Sequence, residues 1–173
     1  MSAQKEIEYS YKRKTWQEKM ADKKNLPKIL KLKSNFPCYK ALTKMGAKAG
    51  DKVVLTNPKE VEEIMKRVPR GKLITIREIC RKLARRHKVD ACCTLTTGIF
   101  IMTVANAAEE MKKEGKKSDN PYWRTLKAGG FLNEKYPGGA ETHKKLLEKE
   151  GYKVIKKGKR YLICDFEKYL AKV

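Results

Sequence analysis

A mainly α-helical domain with a small β-hairpin, preceded by a basic and partly irregular N-terminal extension, is the fold that this 173-residue sequence predicts. Three observations lead there. Apolar residues recur at helical spacing in two successive segments after Pro58, a longer apolar segment follows directly, and two alternating segments flank Lys157-Gly158 near the C-terminus. The length suits one domain of ordinary size with an appendage, divided as a 1–52 extension and a 53–173 domain.

In the extension, Thr15-Trp16-Gln17-Glu18 has the form of a capping box and predicts a short helix with Trp16 and Met20 on one face. Leu26–Leu32, interrupted by Pro27, and Phe36-Pro37-Cys38-Tyr39 predict an irregular arm that packs its large side chains on a neighbour, because alone it cannot bury enough surface to fold. Gly46–Asp51 reads as a loop and Lys52–Leu55 as a short strand. Val61, Ile64, Met65 and Val68 stand at i, i+3, i+4 and i+7, so a helix is expected over Lys59–Arg67, between Pro58 and Pro69. Thr75 with Glu78 forms a second capping box, and Ile76, Ile79, Cys80, Leu83 and Ala84 make the apolar stripe of a helix over 76–87.

Past Lys88-Val89-Asp90, the segment Cys92–Met111 is apolar enough for a buried helix and too short for a membrane span. Ala140–Glu150 predicts a helix with Leu146 and Leu147 inward and Gly151 as its stop. His143, on this Lys-rich helix, is expected at the surface. Tyr152–Lys157 and Lys159–Cys164 predict the hairpin, with Lys156, Lys157, Lys159 and Arg160 at its tip, and Asp165 is expected to cap a last short helix.

Two helices joined by a tight turn form a helix-turn-helix, and a hairpin behind them is a wing, so the fold class is a winged helix-turn-helix domain. Thr94, Thr96 and Thr97 then stand at an exposed helix start, able to donate to phosphate or base edges; periodicity equally allows them to be caps on an ordinary helical core.

Lys and Arg number 42 against 20 Asp and Glu, a net charge of +22 spread along the whole length, so the folded surface itself is positive and attracts polyanions. Nucleic acid is the expected partner, because neutralising phosphates releases condensed counterions; a Lys-rich surface kept for solubility has the same composition. Five Cys with no Cys-x-x-Cys, and only two His, suggest neither a disulfide framework nor a metal site, and no cofactor is expected. The start of the chain lacks a signal-peptide core. A soluble cytoplasmic protein without a membrane partner is expected, nucleoid-associated or nuclear according to the cell.

The segment Val68–Gly151, about half the chain, resembles the C-terminal domain of the O6-alkylguanine-DNA alkyltransferases and their alkyltransferase-like relatives. Val68-Pro-Arg-Gly-Lys-Leu-Ile-Thr-Ile-Arg-Glu-Ile79 is similar to the family's opening segment. Pro121-Tyr122-Trp123-Arg124-Thr125 stands where the family has Pro-Cys-His-Arg-Val, and Tyr136-Pro137-Gly138-Gly139 through Leu146-Leu147 to Glu150-Gly151 aligns without a gap to the family's ending. The resemblance implies a winged-helix fold and a pocket for an extruded base. It also implies that Tyr122 and Trp123 replace the acceptor Cys and its activating His. Alkyl transfer needs a thiolate, and a phenol without a neighbouring base is a poor acceptor. Glu150 matches the family's Glu without its relay, which implies a structural role. The alkyltransferase-like relatives lack the acceptor too and bind the lesion without repairing it. Further departures are Ile76 at the place of a Tyr, and Leu95 at the place of the Arg finger when Gly98 is the matching glycine. The family's helix-ending Asn matches Asn106 or, past an insertion, Asn120.

The expected function is therefore non-enzymatic recognition of damaged or extruded bases in double-stranded DNA, with other DNA-repair proteins as further partners. The base pocket is expected from Tyr122, Trp123, Arg124, Tyr136, Pro137, Gly138 and Gly139. The DNA contacts are expected from Thr94, Leu95, Thr96, Thr97, Gly98, Asn106, Lys157, Lys159 and Arg160. No catalytic or metal-ligating residue is expected. The alternatives are a winged-helix regulator or architectural protein that does not flip bases, and a residual alkyl-accepting or base-removing enzyme using Glu150 or His143.

Overall fold

The computed structural model describes residues 12–22 and 25–172. Among them the helices run as α1 (Trp16–Ala21), α2 (Tyr39–Lys44), α3 (Pro58–Lys66), α4 (Ile76–Arg86), α5 (Thr94–Lys113) and α6 (Gly139–Lys149). The strands are β1 (Lys28–Lys31), β2 (Lys52–Leu55), β3 (Ile74–Thr75), β4 (Ala91–Cys92), β5 (Thr125–Leu126), β6 (Val154–Lys157) and β7 (Arg160–Ile163). The fold is thus mixed α/β, with three small sheets where one hairpin and a short strand at Lys52–Leu55 were expected.

Helix boundaries follow local chemistry. Asn57 caps α3 by accepting from the Glu60 amide, with Pro58 in the first turn, where its missing N–H costs nothing. Thr75 and Glu78 close the expected box at the start of α4, as Thr15 and Glu18 do at α1. One face of α3 (Val61, Ile64, Met65) and one of α4 (Ile79, Cys80, Leu83) are fully buried against Val104, Ala105 and Ala108 of α5. Burial of such side chains contributes about 1.5–3 kcal/mol each.

The expected irregular arm is instead built into a sheet. β1 pairs antiparallel with β2 from Lys28↔Leu55 to Lys31↔Lys52, and β2 continues parallel onto β4 through Val53↔Ala91 and Val54↔Cys92. Leu32, Cys38 and Leu42 bury against Val53 and Cys93. The sheet thereby ties the residues before 52 to the start of α5.

β3 and β5 pair in parallel at Ile74↔Thr125 and Thr75↔Leu126, which brings the 121–126 segment beside the start of α4. The hairpin β6–β7 forms as expected around Lys157-Gly158-Lys159. It docks on the 131–132 loop through the amide of Leu132, which donates to the Tyr161 carbonyl at 3.0 Å, and through an antiparallel bridge between Phe131 and Leu162. Asp165 does precede a last short 3-10 helix, Phe166–Tyr169, but makes no cap bond; its carboxylate accepts from Lys168 at 3.3 Å instead. The α6 entry turns on Gly138, whose φ of 81° is left-handed and whose missing side chain leaves room for Thr142.

Candidate nucleic-acid interface

Helix α5 is the organising element, and it is not buried all round as its composition suggested. Thr97, Ile101, Val104, Ala105 and Ala108 face the core, while Leu95 and Ile99 stand 50% and 49% exposed on the other side. Large aliphatics that open to solvent in successive turns of one helix need a reason beyond scattered surface apolarity. Beside them lies a cleft of about 340 Å³, at the lower end of the roughly 300–1,000 Å³ range of small-molecule sites.

The start of α4 (Ile76) and the first three turns of α5 (Thr94, Leu95, Gly98, Ile99, Ile101, Met102) form one wall of the cleft. Leu126, Lys127, Ala128, Asn133, Lys135 and Tyr136 form the other. Gly98 faces Ile76 in that wall, where a Cβ would meet Ile76 Cδ1 at an ordinary contact distance of 3.5 Å. The Asn133 carboxamide oxygen accepts from the Lys135 amide at 3.0 Å, and the Asn133 side chain also interacts with the Tyr136 hydroxyl. Lys127 pairs with Glu134 at 3.1 Å; Lys135 projects at the rim. The lining has no thiol, no imidazole and no carboxylate. All five cysteines lie elsewhere, four of them buried.

Of the seven residues expected in the base pocket, only Tyr136 lines this cleft. Its ring is buried and its hydroxyl donates to the Thr125 carbonyl at 2.9 Å. Tyr122 lies beneath it, edge-on at 5.3 Å between ring centroids and 1% exposed. Its hydroxyl donates to Glu109 Oε1 of α5 at 2.9 Å; burial first, and then that carboxylate, push the phenol well above its ordinary pKa. The Tyr122 ring is core, not wall.

Trp123 is half-buried, edge-on to Tyr122 at 5.5 Å. Arg124 turns away from the cleft. Its Nη2 and Nε bind the Glu150 carboxylate at 2.7 and 3.0 Å, and its Nη1 donates to the Val68 carbonyl at 2.8 Å. Glu150 thus has a structural part. Burial raises its pKa, and the hydrogen bonds and positive charges around it, Arg124 foremost, together outweigh that and leave it below the ordinary carboxylate value. Pro137, Gly138 and Gly139 shape the entry to α6 without lining the cleft.

His143 corrects the sequence expectation most sharply: it is 1% exposed. Its Nδ1 accepts from the Asn133 amide at 3.0 Å and its Nε2 donates to the Trp123 carbonyl at 2.7 Å, which defines the neutral Nε2–H tautomer. Burial lowers its pKa to about 4, against a smaller upward effect of the Trp123 bond. The imidazole therefore spans the two segments flanking the cleft's outer wall. It was discoverable from spacing, because it sits four residues before Leu147, the other buried side chain of α6.

The residues expected to contact DNA divide. Leu95, Gly98 and Thr94 reach the cleft. Thr97 does not belong to an exposed end; it is wholly buried and its hydroxyl donates back to the Cys93 carbonyl at 2.7 Å. Thr96 Oγ1 donates to Cys93 Sγ at 3.3 Å. Asn106 Nδ2 donates to the Met102 carbonyl at 2.8 Å, and its place about 16 Å along the helix axis from Leu95 puts it beyond the cleft. Lys157 and Lys159 are exposed at the hairpin tip, and the Arg160 guanidinium lies 3.9 Å above the Phe131 ring. Asn133, Lys135, Leu126 and Met102 line the cleft and belong to no motif that the sequence displays.

No protein-family model and no curated protein matches the chain. Among solved structures it is similar to S. pombe Atl1 in complex with damaged DNA containing O6-carboxymethylguanine, with a TM-score of 0.48 and 18% identity over 67% of this chain and 94% of that one. It is similar also to S. pombe ATL in complex with DNA, with a TM-score of 0.49 at the same identity and coverage.

Proposed function

We propose that this protein is a non-enzymatic DNA-binding protein of winged helix-turn-helix type that accepts an extruded or alkylated base in the cleft between α5 and the 126–136 wall. The supporting observation is a largely apolar slot, opening beside two exposed aliphatics of α5, whose lining has no thiol, imidazole or carboxylate. Apolar walls hold the faces of a flat ring, while Lys135 at the rim offers a donor to its edge. Leu95, at the lip and half exposed, corresponds to the resembled family's Arg finger when Gly98 is taken as the matching glycine; an aliphatic wedge fills a gap in stacked bases by contact alone. The net charge of +22 supplies affinity for the phosphate backbone whatever the sequence.

Binding without base extrusion is the second reading, and one observation favours it: Tyr122 is sealed in the core with its hydroxyl committed to Glu109. Fluorescence anisotropy on matched duplexes with and without O6-methylguanine separates the two. The first reading gives at least tenfold tighter binding to the lesion, about 1.4 kcal/mol. Equal affinities eliminate lesion recognition and leave general DNA binding.

A further inference from the structure

A second groove, of about 590 Å³, runs between α1 and α5. Ile99 and Met102 line both this groove and the base cleft, so the two open onto the same side chains. Its other wall is α1, which has no buried residue of its own. The helix is held on α5 by a polar grip: the amides of Trp16 and Gln17 donate to the two oxygens of Glu110 at 3.1 and 3.2 Å, and Gln17 Nε2 adds a third bond at 2.9 Å. Met20 also packs against the core, while the space beside Trp16 stays open.

The lining pairs an apolar floor with a cationic rim. Phe100 and Ile99 of α5 face Trp16, and Arg13, Lys14 and Lys19 stand at the edge. Lys14 is bound to Asp22 at 2.9 Å. Lys19 Nζ lies 4.0 Å from the Trp16 ring centroid, and Arg13 is exposed with no ion pair among the described residues. Cations above an aromatic and aliphatic floor suit a nucleic-acid strand, whose phosphates take the charge and whose sugars and bases take the apolar surface.

We infer that the α1–α5 groove is a second nucleic-acid contact surface, which holds the backbone of the strand flanking the cleft, with Arg13 and Lys19 on its phosphates. The inference rests on the DNA-binding reading above and extends it to the N-terminal residues, which then serve as a clamp across α5. Its occupant is DNA because the charge is complementary and the groove is continuous with the cleft.

The test is the salt dependence of affinity for the full chain on duplex DNA, where each phosphate contact contributes about 0.9 to the slope of log K against log salt. Arg13→Ala with Lys19→Ala flattens the slope by about 2, and weakens binding equally on lesion-containing and unmodified duplexes. Arg13→Lys with Lys19→Arg keeps the unmodified protein's slope. Lys113→Ala with Lys117→Ala, two exposed lysines at and just past the end of α5, which is ~21 Å from Ile99 along the axis, leaves it unchanged. A wild-type slope in the first double variant overturns the groove and leaves DNA binding standing. Equal flattening by the control pair also overturns it, since bulk charge then explains the effect. Absence of DNA binding by the unmodified protein overturns the function itself, and this inference with it.

Discussion

Lowering the pH from about 6.5 to about 4 is expected to remove about 3 kcal/mol of unfolding free energy through His143 alone. The sign follows from where the proton binds more easily. In the unfolded chain the imidazole takes a proton near its ordinary value of 6.5, while in the folded protein burial delays this to about 4. The unfolded state therefore gains protons first as pH falls. Stability is full above the unfolded value and declines until both states are protonated. His143→Asn, which keeps an acceptor for the Asn133 amide and cannot become charged, is less stable at neutral pH but lacks this decline. Urea unfolding at several pH values reads the difference; parallel pH profiles for the two proteins would show that the imidazole is not sealed. Glu150 acts in a separate window: a carboxylate whose pKa is depressed contributes above its ordinary value and loses that contribution below it.

Arg124→Ala is expected to cost about 3–5 kcal/mol, because it strands the Glu150 carboxylate, whose side chain is 10% exposed. It also leaves the Val68 carbonyl without its donor. Since the pair joins the 3-10 turn at Tyr122–Arg124 to the end of α6, the loss is global and not confined to a loop. Replacing both partners by leucine costs much less than the sum of the two single changes, as neither charge is then left uncompensated. Chemical denaturation of the three variants measures this; a cost below 1 kcal/mol for Arg124→Ala would mean that water already solvates the pair.

Both residues show why parts of this molecule were legible in its sequence and others were not. Helices α3 and α4 were readable because cap, periodicity and stop agree within each short window, and so was the hairpin around Gly158. The strands β3, β4 and β5 were not, since two-residue strands exist only through partners far along the chain, Ile74 with Thr125 and Ala91 with Val53. Within the segment from Asn120 to Gly151, the expected pocket residues other than Tyr136 stand away from the cleft. Large rings at Tyr122 and Trp123 pack inward, where apolar area is buried, and the open surface falls to the smaller Leu126–Asn133 stretch and the outer face of α5. Leu95 and Ile99 carried a signal that composition concealed: they stand off the stripe of Thr97, Ile101, Val104 and Ala108, and an apolar residue off the buried stripe is a surface waiting for a partner.

The claim that the cleft grips without reacting is tested most directly by mass spectrometry of the protein mixed with a duplex carrying O6-alkylguanine, first under native and then under denaturing conditions. The native spectrum should show a protein–DNA complex, and the denatured one should show protein and oligonucleotide at their starting masses, with the alkyl group still on guanine. A protein heavier by the alkyl group, mapped to any of its five cysteines, or the lack of a complex, would contradict the account.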